Sequence, residues 1–428
     1  MFDNIIISNS CSVIRMDRIV LHCDLNNFFA SASCLSRPEL AGVPVAVCGD
    51  VTKRHGIILA KNQLAKRMGV KTAQPLWQAF SLCPGLVPLP PDYPLYMRLS
   101  ETVRKIYARY TGHIEPFGID ECWLDVTPYF ASPGYGERIA QHIRETVKKE
   151  TGLTVSVGVS WNKVFAKLGS DYKKPDAVTV ISRDNYKQIV WPLPAGELMY
   201  VGRATKERLS RAGINTIGDI AAAPPPLLKL LLGKNGLMLH SFAAGLDDSP
   251  VKSVEHECGV KGIGNSMTTK RDLCSGEEVW EALLILSEMV AHRARKKMLQ
   301  GRVVALFLRD NRLESITRQA TLPRATFISG EIAQAAMALY KNNWDAAKRP
   351  IRAIGVRITN LSAIDKNVQL SFFDAQRTRL QSLEFAKDDI NGRFGPDTVM
   401  RASLLKPDVA DRYPKEIHEV HPLSYFRE

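Results

Sequence analysis

Acid placed inside apolar strands is the feature that most constrains this chain. Residues 17–25, DRIVLHCDL, read as a buried strand that ends on Asp24. A carboxylate there costs several kcal/mol unless it is paired, hydrogen-bonded or bound to a cation. Asp120 and Glu121 repeat the anomaly in GIDECWLDV, inside a strand-like run over Ile114–Val126. Neighbours on a regular strand point to opposite faces. Both acids serve one site only at a hairpin turn or bulge, which Gly118 supports. If Asp24 and this pair, 96 positions further on, converge, three carboxylates make a hard-oxygen cage for Mg²⁺. Two such ions about 4 Å apart would activate an attacking hydroxyl and stabilise a leaving phosphate group. From spacing alone this signal is weak, since acids so far apart are commonly surface or capping residues.

Around these points apolar runs alternate with helical periodicity. Val43–Cys48 reads as a second strand, and residues 56–70 as a strand followed by a basic helix. Pro84–Pro94 carries five prolines and reads as a linker or crossover before a helix over Tyr96–Tyr110. Glu137–Thr151 is an amphipathic helix and Thr154–Val159 an alternating strand. Residues 184–245 read as small helices broken by Pro224–Pro226. A spacer follows, and then the order strand (260–269), helix (276–298), strand (301–309), strand (313–322), helix (328–343), strand (350–359). That βαββαβ order suits a small sheet with two helices on one face. The whole is an α+β, multidomain chain.

Lys and Arg number 57 against 44 Asp and Glu, a net charge of +13. Residues 251–360 hold 18 of the cations and 11 of the acids, over half of the excess in a quarter of the chain. This is either a solvated face or a contact for a nucleic-acid backbone. No apolar stretch approaches the roughly 20 residues of a membrane span, and the N-terminus lacks a cleavable apolar region. No two of the eight cysteines are closer than eleven positions, so no CxxC metal or redox motif exists. They read as reduced, buried thiols of a cytosolic protein.

Three segments carry a resemblance. VLHCDLNNFFASAS resembles the opening strand of the Y-family DNA polymerases, the translesion group that includes the DinB and UmuC types. EPFGIDECWLDVT is similar to that family's second catalytic motif, and TVSVGVSWNKVFAKLGSDYKKPDAVTVI to its third block. They stand in the family's order and spacing. The resemblance implies a right-hand fold of palm, fingers and thumb with a βαββαβ little finger. Palm and fingers would take residues 16–181 (fingers about 28–90), the thumb 182–248, a linker 249–257, the little finger 258–361 and a tail 362–428. Residues 1–15 would be an upstream extension or a misassigned start.

It also implies roles. Asp24, Asp120 and Glu121 would hold two Mg²⁺ ions with the Leu25 carbonyl. Phe29 would be the steric gate against a ribose 2′-hydroxyl, with Phe28 more readily a core aromatic. Asn27, Phe28, Phe29, Gln63, Lys66 and Lys174 would meet the dNTP. Lys66 stands where the family usually has Arg, and keeps charge but not a bidentate fork. Gln63 replaces a usual Tyr, Gly118 a common Ser, and Asn26 a second Asp that is not a metal ligand.

YVGRATKERLSRAGINTIGDIA resembles a helix-hairpin-helix, in which a turn at Gly202 offers backbone N–H groups to a phosphate. Tyr200 takes the place of its first glycine, which predicts a distorted turn. The DNA contacts so implied are Gly202, Arg203 and Thr205, then Lys270, Arg271, Arg295, Lys296, Lys297, Arg309 and Arg312. Gln369-Leu370-Ser371-Phe372-Phe373 resembles the bacterial sliding-clamp-binding peptide. LEFAKDDINGRFGPDTVMRASLL resembles the tails of UmuC-like members and suits a docking helix. The implied activity is template-directed, error-prone translesion synthesis in the bacterial cytoplasm at the nucleoid, within the SOS damage response. Its partners would be primer–template DNA, dNTPs, the clamp and accessory damage-response proteins, with no membrane. Rival readings are a non-catalytic DNA- and clamp-binding protein, a UmuC-like subunit needing partners, and a palm-fold cyclase-like nucleotidyl transferase.

Overall fold

A computed structural model describes residues 17–49, 56–129, 134–253, 260–364, 375–395 and 398–405. The chain divides into two compact units after Glu257, the second also taking in the short stretches Cys48–Ile58 and Ala73–Gln78.

The first unit opens on β1 (Val20–Leu25), α1 (Phe28–Cys34), β2 (Val45–Cys48), β3 (Ile58–Lys61), α2 (Gln63–Arg67), α3 (Leu76–Leu82) and β4 (Val87–Leu89). It continues through α4 (Tyr93–Tyr107), β5 (Ile114–Pro116), β6 (Glu121–Asp125), α5 (Tyr135–Thr151), β7 (Val155–Ser160), α6 (Lys163–Tyr172) and β8 (Val178–Val180). A five-stranded sheet has the order β5-β6-β1-β7-β8, and β3-β2-β4 form a small second sheet. All six residues of β1 are buried, as expected for a central strand between β6 and β7.

The two faces of β1 follow its alternation. Leu21, Cys23 and Leu25 join a core with Tyr96, Val103 and Ile106 of α4 and Ile139, Ile143 and Val147 of α5. Val20 lies on the other face with Trp123 and with Ala166 of α6. Asp24 and Glu121, direct partners in register, therefore share the α6 face.

Two proline-rich stretches depart from expectation. Pro94 occupies the first turn of α4, and Asp92 caps that helix by accepting from the Leu95 N–H. Helix α4 thus begins three residues before the expected Tyr96, because proline's missing N–H costs nothing in a first turn. Pro225 likewise opens a helix instead of breaking one. The helical region comprises α7 (Tyr186–Ile189), α8 (Arg203–Arg211), α9 (Ile217–Ala222), α10 (Pro225–Leu232) and α11 (Lys234–Ala243). Its core runs from Trp161 and Phe165 to Leu239 and Ala243.

The second unit is β9 (Gly262–Leu273), α12 (Gly276–Lys296), β10 (Leu299–Asp310), β11 (Ser315–Thr326), α13 (Ser329–Asn343) and β12 (Ile351–Ala363). Its sheet has the order β11-β10-β12-β9, with every pair antiparallel. Ser275 and Glu278 close a capping box at the start of α12. A last helix, α14 (Ala375–Phe394), packs on this unit. Among the described residues no helix is long and apolar enough to cross a membrane.

Candidate active site

Asp24 ends β1 and Glu121 starts β6, paired across the ladder. The intervening turn holds Asp120, whose carbonyl accepts from the Leu25 N–H at 3.0 Å. Three carboxylates thus reach one end of the sheet. They do so because β5 and β6 form a hairpin, closed by Phe117 N–H donating to the Glu121 carbonyl at 2.9 Å. A Cβ at position 118 would stand 3.3 Å from Asp120 Oδ1, so a glycine leaves that carboxylate room.

Two lysines from the following segment face the acids. Lys174 Nζ lies 2.6 Å from Asp24 Oδ2 and 2.7 Å from Asp171 Oδ1. Lys167 Nζ lies 2.5 Å from Glu121 Oε2. His22, fully buried beneath Glu121, puts Nε2 at 3.3 Å from Oε2 and Nδ1 at 2.8 Å from Ser170 Oγ. Burial pushes its pKa down to about 4, so near pH 7 the imidazole is neutral and this contact is not an ion pair.

The carboxylates differ in charge preference. Burial raises Asp24, Lys174 offsets part of that, and the neighbouring Glu121 adds to it. Burial and Glu121 raise Asp120 to about 6. For Glu121 burial acts upward, but His22 and Lys167 together outweigh it and hold the carboxyl below its usual range. Burial also works against the Lys174 charge, yet Asp24 and Asp171 hold that ammonium above the ordinary lysine value. Crowded, half-desolvated acids of this kind suit a hard cation, which relieves their repulsion. Among the described residues no three ligating side chains already surround one point; the donor set fits a divalent cation, without a preformed cage.

Beside the acids, Asn27 begins α1 at a φ of 50°. Asn26 is fixed by Thr154 Oγ1 at 3.1 Å and by Ser156 Oγ at 2.8 Å. Phe29 is half-buried, stacked on Tyr96 (centroids 4.3 Å apart, planes at 8°) and edge-on to Tyr93. Phe28 is 2% exposed. Its ring belongs to the core, which leaves its main chain as the part able to meet a nucleotide. Gln63 and Lys66 lie on α2, tied to β2 through Asn62, whose Oδ1 accepts from both Val45 N–H and Ala65 N–H.

The expected DNA contacts fall into groups. Gly202 caps α8, with Arg203 exposed and paired to Glu207, and Thr205 half-buried. Tyr200 holds a φ of 69°, so a tyrosine takes the left-handed conformation where glycine was expected, at about 1–2 kcal/mol. In the second unit Lys296, Lys297, Arg309 and Arg312 are exposed, Lys270 is half-buried and Arg271 pairs with Glu278 at 2.8 Å. Arg295 requires correction. It is 4% exposed and bonds Glu384 Oε2 at 2.9 Å and Asp388 Oδ2 at 2.6 Å on α14. It points inward from α12, while the following Lys296 and Lys297 are exposed. Gln369–Phe373 lies outside the described residues.

Sequence reasoning missed His22, Lys167, Asp171, Tyr93, Ser100 and Arg104 as members of the site. Lys167 and Asp171 had a signal, four residues apart and so on one helical face of the third block. The others depend on packing between distant segments.

Residues 23–171 match the impB/mucB/samB family, and residues 260–372 match its C-terminal domain. The DNA polymerase IV of Acetivibrio thermocellus is 48% identical over 393 residues, covering 91% of this chain and 98% of that protein. The chain belongs to the Y family of DNA polymerases, of the DinB type. DNA polymerase IV 1 of Bacillus subtilis is 34% identical over 398 residues, covering 91% of this chain and 94% of the relative. The fold agrees with the solved structure of a Y-family DNA polymerase chimera of Dbh and Dpo4. That comparison has a TM-score of 0.71 and 22% identity, and covers 81% of this chain and 99% of the other. The chain is a DNA-directed DNA polymerase with the palm, fingers, thumb and little-finger architecture of the Y family.

Proposed function

We propose that this polymerase carries out error-prone translesion synthesis, adding dNTPs to a primer 3′-hydroxyl at the site built by Asp24, Asp120 and Glu121. The observation that carries the reading is the meeting of three acids from β1 and the β5–β6 hairpin, with Lys174 bonded to Asp24. In this reading palm and fingers span residues 16–181, the thumb 182–248, the linker 249–257 and the little finger 258–361, ahead of a tail.

Two Mg²⁺ ions held by these carboxylates and the Leu25 carbonyl would supply hydroxyl activation and neutralise the departing pyrophosphate. The chain's own residues prepare for that charge. Lys174 and Lys167 balance the acids while the site is open. Lys174, paired with Asp24, would supply an ammonium to the phosphates of an incoming dNTP, which would leave the Asp24 carboxylate for a cation. Gln63 and Lys66 would meet the same triphosphate from α2. The stacked ring of Phe29 lies ready to pass a deoxyribose and to clash with a 2′-hydroxyl.

Exposed cations of the little finger and the Gly202 turn would hold primer–template backbone without reading sequence. Gln369–Phe373 would engage the sliding clamp, and accessory damage-response proteins would act through the tail. Primer extension with dNTPs and Mg²⁺ tests the reading. The parent should extend and Asp120→Ala combined with Glu121→Ala should not. A parent unable to extend would sink the proposal and favour a non-catalytic DNA-binding role. Deleting Gln369–Phe373 should remove stimulation by the clamp and leave unassisted extension intact; unaltered stimulation would refute that part.

A further inference from the structure

The turn that carries Asp120 and leads into Glu121 is held by more than its own hairpin. Strand β5 has three residues and ends on Pro116, which has no N–H to give. The Phe117–Glu121 bond closes the loop Gly118-Ile119-Asp120. The carbonyls of those three residues each take a donor from elsewhere. Leu25 N–H bonds the Asp120 carbonyl at 3.0 Å. Ser100 Oγ donates to the Ile119 carbonyl. Arg104 Nη2 donates to the Gly118 carbonyl at 2.8 Å.

Ser100 and Arg104 are four residues apart on α4, so they form one stripe along it. Ser100 is 3% exposed on a helix whose other buried positions are Tyr96, Val103, Ile106 and Tyr107. A polar group there is costly unless bonded, and its bond goes to the acidic turn. Arg104 bonds the Gly118 carbonyl through Nη2. Its Nε is buried with no partner among the described residues.

We propose that Ser100 and Arg104 are positioning residues for nucleotidyl transfer. They fix the two peptide groups ahead of Asp120 and so set the direction of both turn acids. Rotation of either peptide would swing Asp120, and Gly118 offers no side chain to resist it. The role rests on the reading of Asp120 and Glu121 as catalytic, and it requires no contact between α4 and substrate.

The experiment compares Ser100→Ala, Arg104→Lys and Arg104→Gln with Arg109→Gln, which removes an exposed pair with Glu150. Steady-state extension, DNA affinity, melting temperature and amide exchange of residues 117–122 in the DNA-free protein are read for each. Arg104→Gln should lower kcat on the order of 10–100-fold, raise the half-saturating Mg²⁺ concentration and speed exchange in the turn. KM for dNTP and DNA affinity should hardly move. Arg104→Lys should recover part of the loss, Ser100→Ala should show a smaller version, and Arg109→Gln should match the parent. Normal kcat in folded Ser100→Ala and Arg104→Gln overturns the inference, as does a loss that tracks melting temperature alone. Should Arg104→Gln not fold, normal kcat in both Ser100→Ala and Arg104→Lys overturns it. Activity retained by Asp120→Ala with Glu121→Ala would instead refute the catalytic assignment.

Discussion

A methyl group at Gly158 would sit 1.9 Å from the Ala166 carbonyl oxygen and 2.4 Å from the Ser170 amide nitrogen. Both are backbone atoms of α6, the helix that brings Lys167 to Glu121 and Ser170 to His22. Gly158 pairs with His22 across the sheet, so one missing side chain sets how closely α6 approaches the acids. Gly158→Ala should cost about 3 kcal/mol or more, since neither backbone segment can yield cheaply; a denaturant midpoint measures it. Phe29 is a different case, half-buried at the edge of the core and stacked on Tyr96. Phe29→Ala should leave dNTP incorporation largely in place and raise relative use of ribonucleotides on the order of 10²-fold. Single-nucleotide incorporation assays decide, and undiminished exclusion of ribonucleotides would remove the gate assignment.

At the scale of elements, α14 stands out because it lies beyond residue 372, where the family match ends. It is nevertheless built into the second unit. Arg295, nearly fully buried, bonds Glu384 and Asp388, and Arg377 bonds Glu331 at 2.9 Å. Lys387 and Arg401 converge on Glu288 at 2.8 and 2.7 Å. Ending the chain at residue 374 would leave Arg295 buried without its acids. Breaking one side of such a pair costs about 3–5 kcal/mol, so the truncated protein should melt well below the parent, and Arg295→Met within the truncation should restore part of the loss. The pair also gives a pH dependence. Burial acts to raise Asp388, but Arg295 and His292 hold it below the usual carboxylate range. A depressed folded pKa contributes stability above the unfolded value of about 3.9 that disappears as pH falls below it. Protection of the α14 amides, relative to their intrinsic exchange rates, should therefore fall below about pH 4, and less steeply in Asp388→Asn.

For the whole molecule, the excess of cations in residues 251–360 predicts a strong salt dependence. If about six phosphates are neutralised, template affinity should fall on the order of 10³-fold between about 50 and 200 mM salt. A shallow slope would show that little of this charge meets the backbone. Arg295 marks the limit of such counting, because a net charge does not say which cations turn inward.

The sequence by itself determined the element order and the local chemistry. Alternation in β1, the capping box at α12 and the βαββαβ order are short-range patterns, written in residues a few positions apart. The three acids were legible as anomalies for the same reason, since burial of a carboxylate is visible wherever apolar residues surround it. Only the tertiary structure decided that Phe28 is core while Phe29 is stacked and half-open, and that Arg295 is an internal partner of α14. It alone brought α4 under the acidic turn. Each of these depends on contact between segments tens of residues apart, where close packing selects one neighbour among many of similar composition. No local pattern carries that choice.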